Sequence, residues 1–541
     1  MKLFLRYISI VCFVLSCFSC KKKHELTTSE IIKNKPIEIQ NISISNELLA
    51  KELHNIKVDS SLIPLKHKDS VIAFYQLRNG KAAWGKTQNR NALYLAIKDA
   101  AKQGLTPEDY NLKKLETIIT NTNRESIDNV IIDLFLTDTY LTYAYHLANG
   151  KINPKKLYND WRLDKNIFQF NNILNLAIGN LKLTESLEGY TPKHKIYQQL
   201  ITELPIAKQR LRKDSLRTLV DYGTKIRPNK SSDRIINIRK RLNELGFLED
   251  SLANNSKVLD TILQDRLKKF QLKNNLQVDA IVGKSTIEVL NRSYNDEYLS
   301  VLANLERWRW FPRNFGSPAI VVNIPQYQLT YITPNKRINH SIVVGKTARK
   351  TPVFSSTVRH IDFNPKWYIP PTIKKEDIIP SATKNVDYLR SKNITVYNRQ
   401  GKQMVLDSIN WNSRAPFTYS YVQAAGNSNA LGRLKIIFPN DFSVYLHDTP
   451  SKSLFSKNYR AKSSGCVRVH NVYKLASEIL DWSEEDIIKT IDNNAAKRVL
   501  PVKKIKVHLL YSSVIFNKKS QPIFLNDVYK LDRELGLLLS N

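Results

Sequence analysis

The first half of the chain repeats apolar residues at the spacing of helices. From about residue 70 to residue 222, apolar positions recur every three or four residues, which is typical of helices with one buried face. The longest run predicts a single long amphipathic helix and contains Ile131, Leu134, Phe135, Leu141 and Tyr145. We therefore expect a helical scaffold domain over residues 63–225, and no catalytic set of side chains stands out within it.

A second, smaller unit over residues 230–295 has the pattern of three short helices. Two apolar faces recur at helical spacing, and they are formed by Ile235, Ile238, Leu242, Leu263, Leu267 and Phe270. Gly246 ends the first of these helices, and Ser285 or Thr286 is expected to cap the third.

The C-terminal part alternates apolar and polar residues, as β-strands with one buried face do. Strands are predicted at residues 319–324, 328–332 and 341–345. The alternation resumes after Val502, so we place one mostly-β domain at residues 300–535. Polar, helix-like sequence at about 379–417 interrupts the pattern and predicts an insertion that caps the site. A cluster of aromatic and arginine residues at 305–312 is expected to pack one domain against another.

The first twenty residues have the features of an export signal. Their apolar stretch is 14 residues long, whereas a membrane span needs roughly 20. Small residues directly precede Cys17 and Cys20, and both sites resemble the cleavage box of bacterial lipoproteins. We predict a lipoprotein signal peptide at 1–20, a lipid on Cys17 or Cys20, and a polar tether at 21–62. The alternative is a short membrane anchor or a buried helix. The prediction places the protein on the periplasmic face of the cell envelope, and either membrane fits.

The chain is strongly basic, so we expect it to bind anionic partners. Lys and Arg number 83 against 49 Asp and Glu, a formal net charge of +34. Nucleic acid, acidic lipid headgroups and an anionic cell-wall polymer all suit such a charge. Export from the cytoplasm argues against nucleic acid, so we expect none as a partner. Hydrophobic residues at 42% exclude a fully disordered chain.

One cysteine stands apart from the N-terminal ones. Four cysteines are too few for a disulfide scaffold at this length. With Cys12 and the two lipid candidates set aside, Cys466 is the only cysteine deep in the folded part of the sequence. A lone thiol in an exported protein calls for a chemical explanation.

A histidine in a predicted strand precedes this cysteine. Apolar residues alternate on one face of the strand, at Phe442, Val444 and Leu446. Tyr445 and His447 therefore point to the opposite face. Cys466 follows His447 by nineteen positions, and Asn471 is then expected to cap a helix.

The pair fits nucleophilic catalysis. A cysteine nucleophile needs a base or a cation nearby because the thiolate is its reactive form. His447 is the candidate base, and His470 is a second candidate that suits a supporting role better. Gly465 lets the backbone turn sharply, and the backbone N–H groups of Gly465 and Cys466 are candidate oxyanion donors. Since a lone cysteine or histidine is usually structural, the combination carries the prediction.

Together these segments resemble the L,D-transpeptidase family, which has a YkuD-type catalytic domain. Its signature is a His, a spacer, then Ser/Thr-His-Gly-Cys and a following Arg or Asn. The resemblance implies that His447 is the catalytic base and Cys466 the nucleophile. Gly465 and Ser463 fill the matching motif positions. The stretches 364–371 and 426–440 are also similar to this family.

Ser464 departs from the motif, because it stands where the family's second His is expected. The sequence Ser-Ser-Gly-Cys-Val-Arg resembles that of one branch of the family. Members of this branch have a helical scaffold, a wall-binding module and a large insertion. The departure therefore favours that branch, although it removes any help that a second imidazole gives the thiolate.

A second resemblance concerns the small helical unit. Arg239, Arg241, Gly246, Phe270 and Gly283 occupy positions similar to those of the three-helix peptidoglycan-binding domain. An ordinary three-helix spacer is the alternative. The implied fold class is multidomain α+β. It comprises a helical scaffold domain, a three-helix peptidoglycan-binding module and a mostly-β L,D-transpeptidase catalytic domain with a capping insertion.

The resemblance implies a reaction on peptidoglycan stem tetrapeptides. Cys466 forms a thioester, D-Ala leaves, and an amine of a neighbouring stem completes a cross-link between third residues. Water as acceptor would make the protein a carboxypeptidase, and the amine of another envelope protein would make it a wall-anchoring enzyme. A non-catalytic wall-binding lipoprotein is the competing class.

Further binding roles follow from the same resemblance. Arg468 binds a stem carboxylate or forms a structural ion pair, and Tyr445 and Trp367 line the groove. No cofactor or metal is implied, since no His, Asp and Glu cluster has ligand spacing.

Overall fold

The computed structural model describes residues 43–58, 64–120, 125–274 and 276–540. The predicted signal peptide and both lipidation candidates, Cys17 and Cys20, lie outside the described residues. Within those ranges, none of the helices combines the length and hydrophobicity that crossing a bilayer requires.

As far as the structure describes it, the first domain has nine α-helices. They are α1 (Asn46–Val58), α2 (Lys68–Leu77), α3 (Thr87–Lys98), α4 (Leu112–Thr120), α5 (Ser126–Asn149), α6 (Pro154–Leu157), α7 (Phe170–Asn180), α8 (Leu183–Tyr190) and α9 (Lys195–Arg210). Seven of these helices pack around one hydrophobic core, whereas α6 and α9 pack against the core of the third domain. Helix α1 lies inside the predicted tether, and its Leu49 is fully buried in the first of these cores. The tether prediction therefore extended too far towards the first domain.

Helix α5 is buried on nearly every side, so the prediction of a single apolar face was wrong. Helices α1, α2, α3, α7, α8 and the later helix Tyr294–Trp310 all contact it. Its buried Asp133 is hydrogen-bonded by residues of the neighbouring segments. The buried carboxylate of Asp133 accepts hydrogen bonds from the Tyr75 hydroxyl at 2.7 Å and from the Trp84 backbone N–H at 2.6 Å.

The second unit is the predicted three-helix module with its own core. Its helices are α10 (Arg234–Glu244), α11 (Thr261–Lys273) and α12 (Lys284–Leu290). Gly283 occupies the position before α12, and the Thr286 hydroxyl donates to the Ile281 carbonyl at 3.2 Å. The predicted cap by Ser285 or Thr286 was therefore wrong.

Helix α13 (Tyr294–Trp310) joins the domains through its aromatic and arginine end. Glu306 accepts a hydrogen bond from the Ile152 N–H of the first domain at 2.6 Å. Arg307 pairs with Asp532 of the C-terminal helix at 2.5 Å. The prediction that this cluster packs domains together is confirmed.

The third domain is built on one large sheet. Its strands are β1 (Trp161–Arg162), β2 (Ala319–Asn323), β3 (Gln328–Ile332), β4 (Arg337–Gly345), β5 (Val353–Thr357), β6 (His360–Phe363), β10 (Leu434–Ile437), β11 (Leu446–His447), β12 (Ala461–Ser463), β13 (Val467–Val469), β14 (Lys497–Val499) and β15 (Lys506–Leu510). The strand order is β1-β5-β15-β2-β3-β4-β13-β11-β10-β6-β14, and β12 also pairs with β4. Strand β15 lies between β2 and β5, which confirms that the C-terminal tail belongs to this domain.

Strand β1 comes from the first domain. It pairs in parallel with β5, with Trp161 opposite Val353. The first domain thus supplies the outermost strand on one side of the sheet.

An insertion interrupts the sheet between β6 and β10. It has its own three-stranded sheet of β7 (Trp367–Tyr368), β8 (Ile394–Tyr397) and β9 (Ser420–Gln423). Its short helices are α14 (Pro371–Ile373), α15 (Ile379–Lys384) and α16 (Asp387–Ser391). A separate hydrophobic cluster forms its core. We call residues 367–423 the insertion; it is wider than the predicted 379–417 because flanking strands close its sheet.

Three helices and a hairpin complete the domain. They are α17 (Val472–Leu480), α18 (Glu484–Asp492), β16 (Val514–Phe516), β17 (Pro522–Phe524) and α19 (Asp532–Ser540). Helix α19 packs along α13 and closes the domain against the scaffold.

Candidate active site

Three neighbouring strands place basic side chains on one face of the sheet. His447 on β11 lies opposite Lys435 on β10 and opposite Arg468 on β13. Since side chains alternate along a strand, these three share a face. The other face enters the core through Leu434, Ile436, Leu446 and Val467, all fully buried. Cys466 directly precedes β13, next to this basic face.

The strand that carries His447 is shorter than predicted. Strand β11 contains only Leu446 and His447, so the predicted alternation from Phe442 onward was wrong. The Asn440 side chain accepts hydrogen bonds from the N–H groups of Phe442 and Val444, at 3.1 and 3.0 Å. Ser443 adopts a left-handed conformation with φ of 55°. These bonds fold the segment into a turn whose Ser443 carbonyl lies 3.8 Å from the Cys466 sulfur.

The predicted site residues surround one cavity of about 590 Å³. Its lining includes Cys466, His447, Arg468, Tyr445, Trp367, Ser463 and Ser464. The insertion supplies much of the opposite wall, for example through Pro370, Ile378 and Tyr388. The insertion therefore covers the cavity into which the thiol opens.

Burial and nearby cations act in opposite directions on Cys466. Burial raises the pKa of its thiol above the ordinary value. Hydrogen bonds from the backbone and hydroxyl of Tyr445, together with the charges of Lys435 and Arg468, pull that pKa down by less. At neutral pH the resting form is therefore the thiol, and the surrounding donors favour the thiolate once it forms.

His447 is held as a neutral imidazole. Its side chain is buried, and its Nδ1 lies 2.5 Å from the carbonyl oxygen of Asp448. Burial, followed by the positive charges of Arg468 and Lys435, lowers the pKa of His447 to about 3. Because a carbonyl can only accept, a neutral ring bonded in this way carries its proton on Nδ1. Nε2 is then the nitrogen that can accept a proton.

The residues before Cys466 form a tight loop, which we call the motif loop (residues 463–466). The Ser463 hydroxyl donates to the Cys466 carbonyl at 2.6 Å and accepts from the Gly465 N–H at 3.3 Å. Gly465 has a φ of 114°, which favours glycine. The structure thus directs the Gly465 N–H, a predicted oxyanion donor, to Ser463. Among the described residues, no acceptor is bonded to the Cys466 N–H.

Arg468 has no counter-ion in the described part of the chain. It lines the cavity, and its buried Nε has no hydrogen-bond partner there. No carboxylate of those residues pairs with it, so the alternative of a structural ion pair gains no support.

Two expectations near the motif loop differ from the structure. His470 is exposed, packs against the Phe455 ring at 5.1 Å and is absent from the cavity lining. Asn471 precedes α17 with a φ of 52° and makes no side-chain cap bond, so the predicted cap was wrong.

Sequence reasoning missed two residues of the site. Lys435 lies 4.0 Å from the centre of the Tyr445 ring, and the alternation of β10 was its only available signal. Arg349 lines the cavity and bonds to Ser464 at 2.9 Å, a contact between distant segments that no local pattern announces. The described residues contain no cluster of His, Cys, Asp and Glu side chains suited to a metal ion.

Comparison with known families matches each domain. Residues 69–204 match the family described as "Scaffold domain", and residues 231–290 match the "Putative peptidoglycan binding domain". Residues 317–494 match the L,D-transpeptidase catalytic domain. The third domain belongs to the L,D-transpeptidase catalytic family. The predicted fold class, with a helical first domain, a helical wall-binding module and a mostly-β L,D-transpeptidase domain, is confirmed.

One curated relative is a Haemophilus influenzae protein named "Putative L,D-transpeptidase". It is 34% identical over 239 residues, which cover 43% of this chain and 48% of the relative. The match thus spans about half the length of that protein.

Two solved L,D-transpeptidase structures are similar at low identity. The Xylanimonas cellulosilytica structure is 13% identical with a TM-score of 0.17, and covers 53% of this chain and 98% of its own. The Stackebrandtia nassauensis structure is 11% identical with a TM-score of 0.18, and covers 54% and 96%. Likenesses at these TM-scores support no further conclusion.

Proposed function

We propose that this protein is a peptidoglycan L,D-transpeptidase that cross-links the third residues of stem peptides through a thioester on Cys466. One observation carries the proposal: Cys466, His447 and Arg468 open into a single cavity within the domain that matches this catalytic family. Arg468 is unpaired in the described part of the chain and suits a carboxylate of the stem peptide.

In the first half-reaction, the Cys466 sulfur attacks the carbonyl carbon of the third stem residue. The thiol proton passes to His447 Nε2 and then to the nitrogen of the departing D-Ala. The carbon–nitrogen bond breaks, and a thioester remains on Cys466. Because the resting imidazole is weakly basic, proton transfer accompanies the attack and does not precede it.

In the second half-reaction, the amine of a neighbouring stem attacks the thioester carbonyl. His447 accepts the amine proton and returns it to the departing sulfur, so that the thiol is restored. In both steps the Cys466 N–H would donate to the oxyanion. Lys435 and Arg468 favour negative charge on the sulfur.

The other domains bear on where this chemistry takes place. The three-helix module would hold peptidoglycan near the cavity. A lipid on Cys17 or Cys20 would attach the chain to the periplasmic face of a membrane, and other envelope proteins are further candidate acceptors. The net charge of +34 suits a location between anionic surfaces.

The test is incubation of the purified protein with tetrapeptide-rich muropeptides. We expect D-Ala release together with 3–3 linked dimers, and we expect both to be lost in Cys466→Ala. Monomeric tripeptides alone would establish a carboxypeptidase instead. If the folded protein binds muropeptides without any conversion, the enzymatic proposal is wrong and a wall-binding lipoprotein remains.

Arg468→Gln tests the proposed role of Arg468 in binding the substrate. Because this guanidinium is proposed to bind a stem carboxylate, we expect KM for the tetrapeptide to rise about tenfold or more. The control is Arg390→Gln, since the ion pairs of Arg390 within the described ranges are with Asp387 and Asp407 of the insertion surface. An unchanged KM would remove Arg468 from the binding site.

A further inference from the structure

One arginine connects the motif loop to the insertion. Arg349 lies between β4 and β5, and its Nη1 donates to the Ser464 hydroxyl at 2.9 Å. Its other bonds reach two carboxylates of the insertion. Asp377 accepts from Nη1 at 2.5 Å and from Nη2 at 3.0 Å, and Glu376 accepts from Nε at 3.0 Å and from Nη2 at 2.5 Å. All five N–H groups of the guanidinium can be accommodated by these three partners.

The insertion is a structural unit of its own. It has its own sheet and its own hydrophobic core. Among the described residues, Arg349 is the only one outside 367–423 whose side chain hydrogen-bonds to the helical part, residues 371–391. The insertion is also held at its two chain ends, β7 and β9, and at the β9 end Gln423 forms hydrogen bonds with Ser428 and Ala430.

The two sides of this contact differ in exposure and in how the segment that carries them is anchored. The Arg349 side chain is 9% exposed, whereas those of Glu376 and Asp377 are 52% and 41% exposed. The loop that carries Arg349 is itself anchored, because the Thr351 hydroxyl donates to the Gly465 carbonyl at 2.7 Å. The arginine therefore belongs to the anchored side, and the carboxylates are the side that can be released.

Ser464 joins the same contact to the nucleophile. It stands where the family motif has its second His, and its hydroxyl accepts the Arg349 bond two residues before Cys466. A displacement of Arg349 is transmitted to the motif loop at Ser464, while Thr351 holds that loop at Gly465.

We propose that Arg349 is a positioning residue that latches the insertion to the motif loop. Closure of the insertion over the cavity and the placement of Cys466 are then one event. With the latch closed, the cavity is covered and the sulfur is held for attack. With it open, the insertion swings away and the motif loop loses its Ser464 contact. This deepens the proposed function, although its first tests need no substrate.

The first test uses hydrogen–deuterium exchange on the full chain. In Arg349→Gln we expect exchange in 371–391 to rise about tenfold, while exchange in the module helices α10–α12 is unchanged. Arg390→Gln is the matched control, because Arg390 also bonds two carboxylates but both lie within the insertion. If the exchange rate of residues 371–391 in Arg349→Gln stays within about twofold of the parent protein, the proposed latch is wrong.

The second test measures access to the thiol. In Arg349→Gln we expect a bulky maleimide to label Cys466 at least about threefold faster, because an open insertion admits it. The variant Glu376→Gln/Asp377→Asn breaks the contact from the exposed side with Arg349 in place. It should give the same increase, and it should add nothing when combined with Arg349→Gln. Additive effects would show that the two sides act separately and would overturn the proposal.

The third test separates positioning from a purely structural role. With muropeptides, Arg349→Gln should lower kcat more than it raises KM, and Arg349→Lys should restore little because it cannot form the forked contact. If exchange and labelling change as expected while the parent protein shows no turnover, the latch stands and the proposed reaction fails. If turnover is normal in Arg349→Gln despite an open insertion, the positioning role is wrong.

Discussion

Cys466 and His447 both lie near the cations Lys435 and Arg468, and the two do not form a thiolate–imidazolium ion pair at rest. Burial raises the pKa of the thiol and lowers that of the imidazole to about 3, so each group is held in its neutral form. In this respect the site differs from cysteine enzymes that rest as thiolate and imidazolium.

The pH dependence of Cys466 alkylation tests this arrangement. Because the pKa of the thiol is raised, the thiolate fraction at pH 7 is lower than for a free cysteine. We expect iodoacetamide to react slowly at pH 7 and faster as the pH rises past 9. No step should occur near 6.5, since His447 titrates near 3. A reactive plateau between pH 5 and 8 would reveal a resting ion pair instead.

Removing the charge of Lys435 should change the reactivity of the Cys466 thiol. Its charge lowers the pKa of both Cys466 and His447. In Lys435→Met we expect both pKa values to rise, and alkylation at pH 8 to slow by about threefold or more. Lys462→Met is the control, because this exposed lysine lies over the Tyr459 ring. Equal effects in the two variants would refute a specific role.

At this scale the sequence allows only part of the site to be predicted. A sequence motif identifies Cys466 and His447 as candidates, and in the structure both line one cavity. Lys435 lies near His447 because of strand register, and Arg349 reaches the motif loop through a contact between distant segments. Neither position can be read from a short stretch of sequence.

Among the structural elements, the loop between β4 and β5 depends on the C-terminal segment. The Tyr529 hydroxyl accepts from the Thr351 N–H at 2.9 Å and donates to the Gly345 carbonyl at 2.8 Å. Thr351 in turn bonds Gly465. Tyr529 lies beyond the stretch 317–494 that matches the catalytic family. A segment outside that stretch thus supports the motif loop.

Removing the Tyr529 hydroxyl should loosen this support. Tyr529→Phe leaves a buried N–H without its acceptor, so we expect the free energy of unfolding to fall by about 1–3 kcal/mol. Alkylation of Cys466 should also change, because the motif loop shifts. Urea denaturation measures the first effect. Tyr459→Phe is the control, since its side chain is 39% exposed. No difference between the two variants would contradict the argument.

The limits and burial of the elements depend on interactions that the alternation of apolar residues does not reveal. The alternation around His447 predicts a longer strand than β11, because the Asn440 side chain competes for the backbone N–H groups of Phe442 and Val444. The apolar period predicts helix α5 correctly, but several other helices pack around it and bury nearly all of its surface.

For the molecule as a whole, histidines that the fold holds neutral lower its stability in acid. Burial lowers the pKa of both His146 and His447 to about 3. Unfolding returns them to about 6.5, so the unfolded chain binds more protons between these values. Each such histidine therefore costs about 1.4 kcal/mol of stability per pH unit as the pH falls below 6.5.

Urea titrations at pH 7 and pH 5 measure this loss. Replacing His146 by Gln should reduce the difference between the two pH values by about 2 kcal/mol. His54→Gln is the control, because His54 is exposed on α1. The same pH dependence in parent and His146→Gln would show that this imidazole is not held neutral.

The three domains are predictable because each has its own periodicity and motif. Their limits are harder to predict, since α1 in the tether and the flanking strands of the insertion have ordinary local sequences. Helix α1 and these strands are fixed by contacts with residues that are distant in the sequence.

The pairing of β1 with β5 has a practical consequence for dissecting the protein. A recombinant fragment that starts at α13 would leave the amide and carbonyl groups along one side of β5 without a partner. Such a bare border invites association between copies, so poor behaviour of that fragment would reflect missing backbone and not an inactive centre. Domain-swap chimaeras would need to carry Trp161 and Arg162 along with the transplanted sheet.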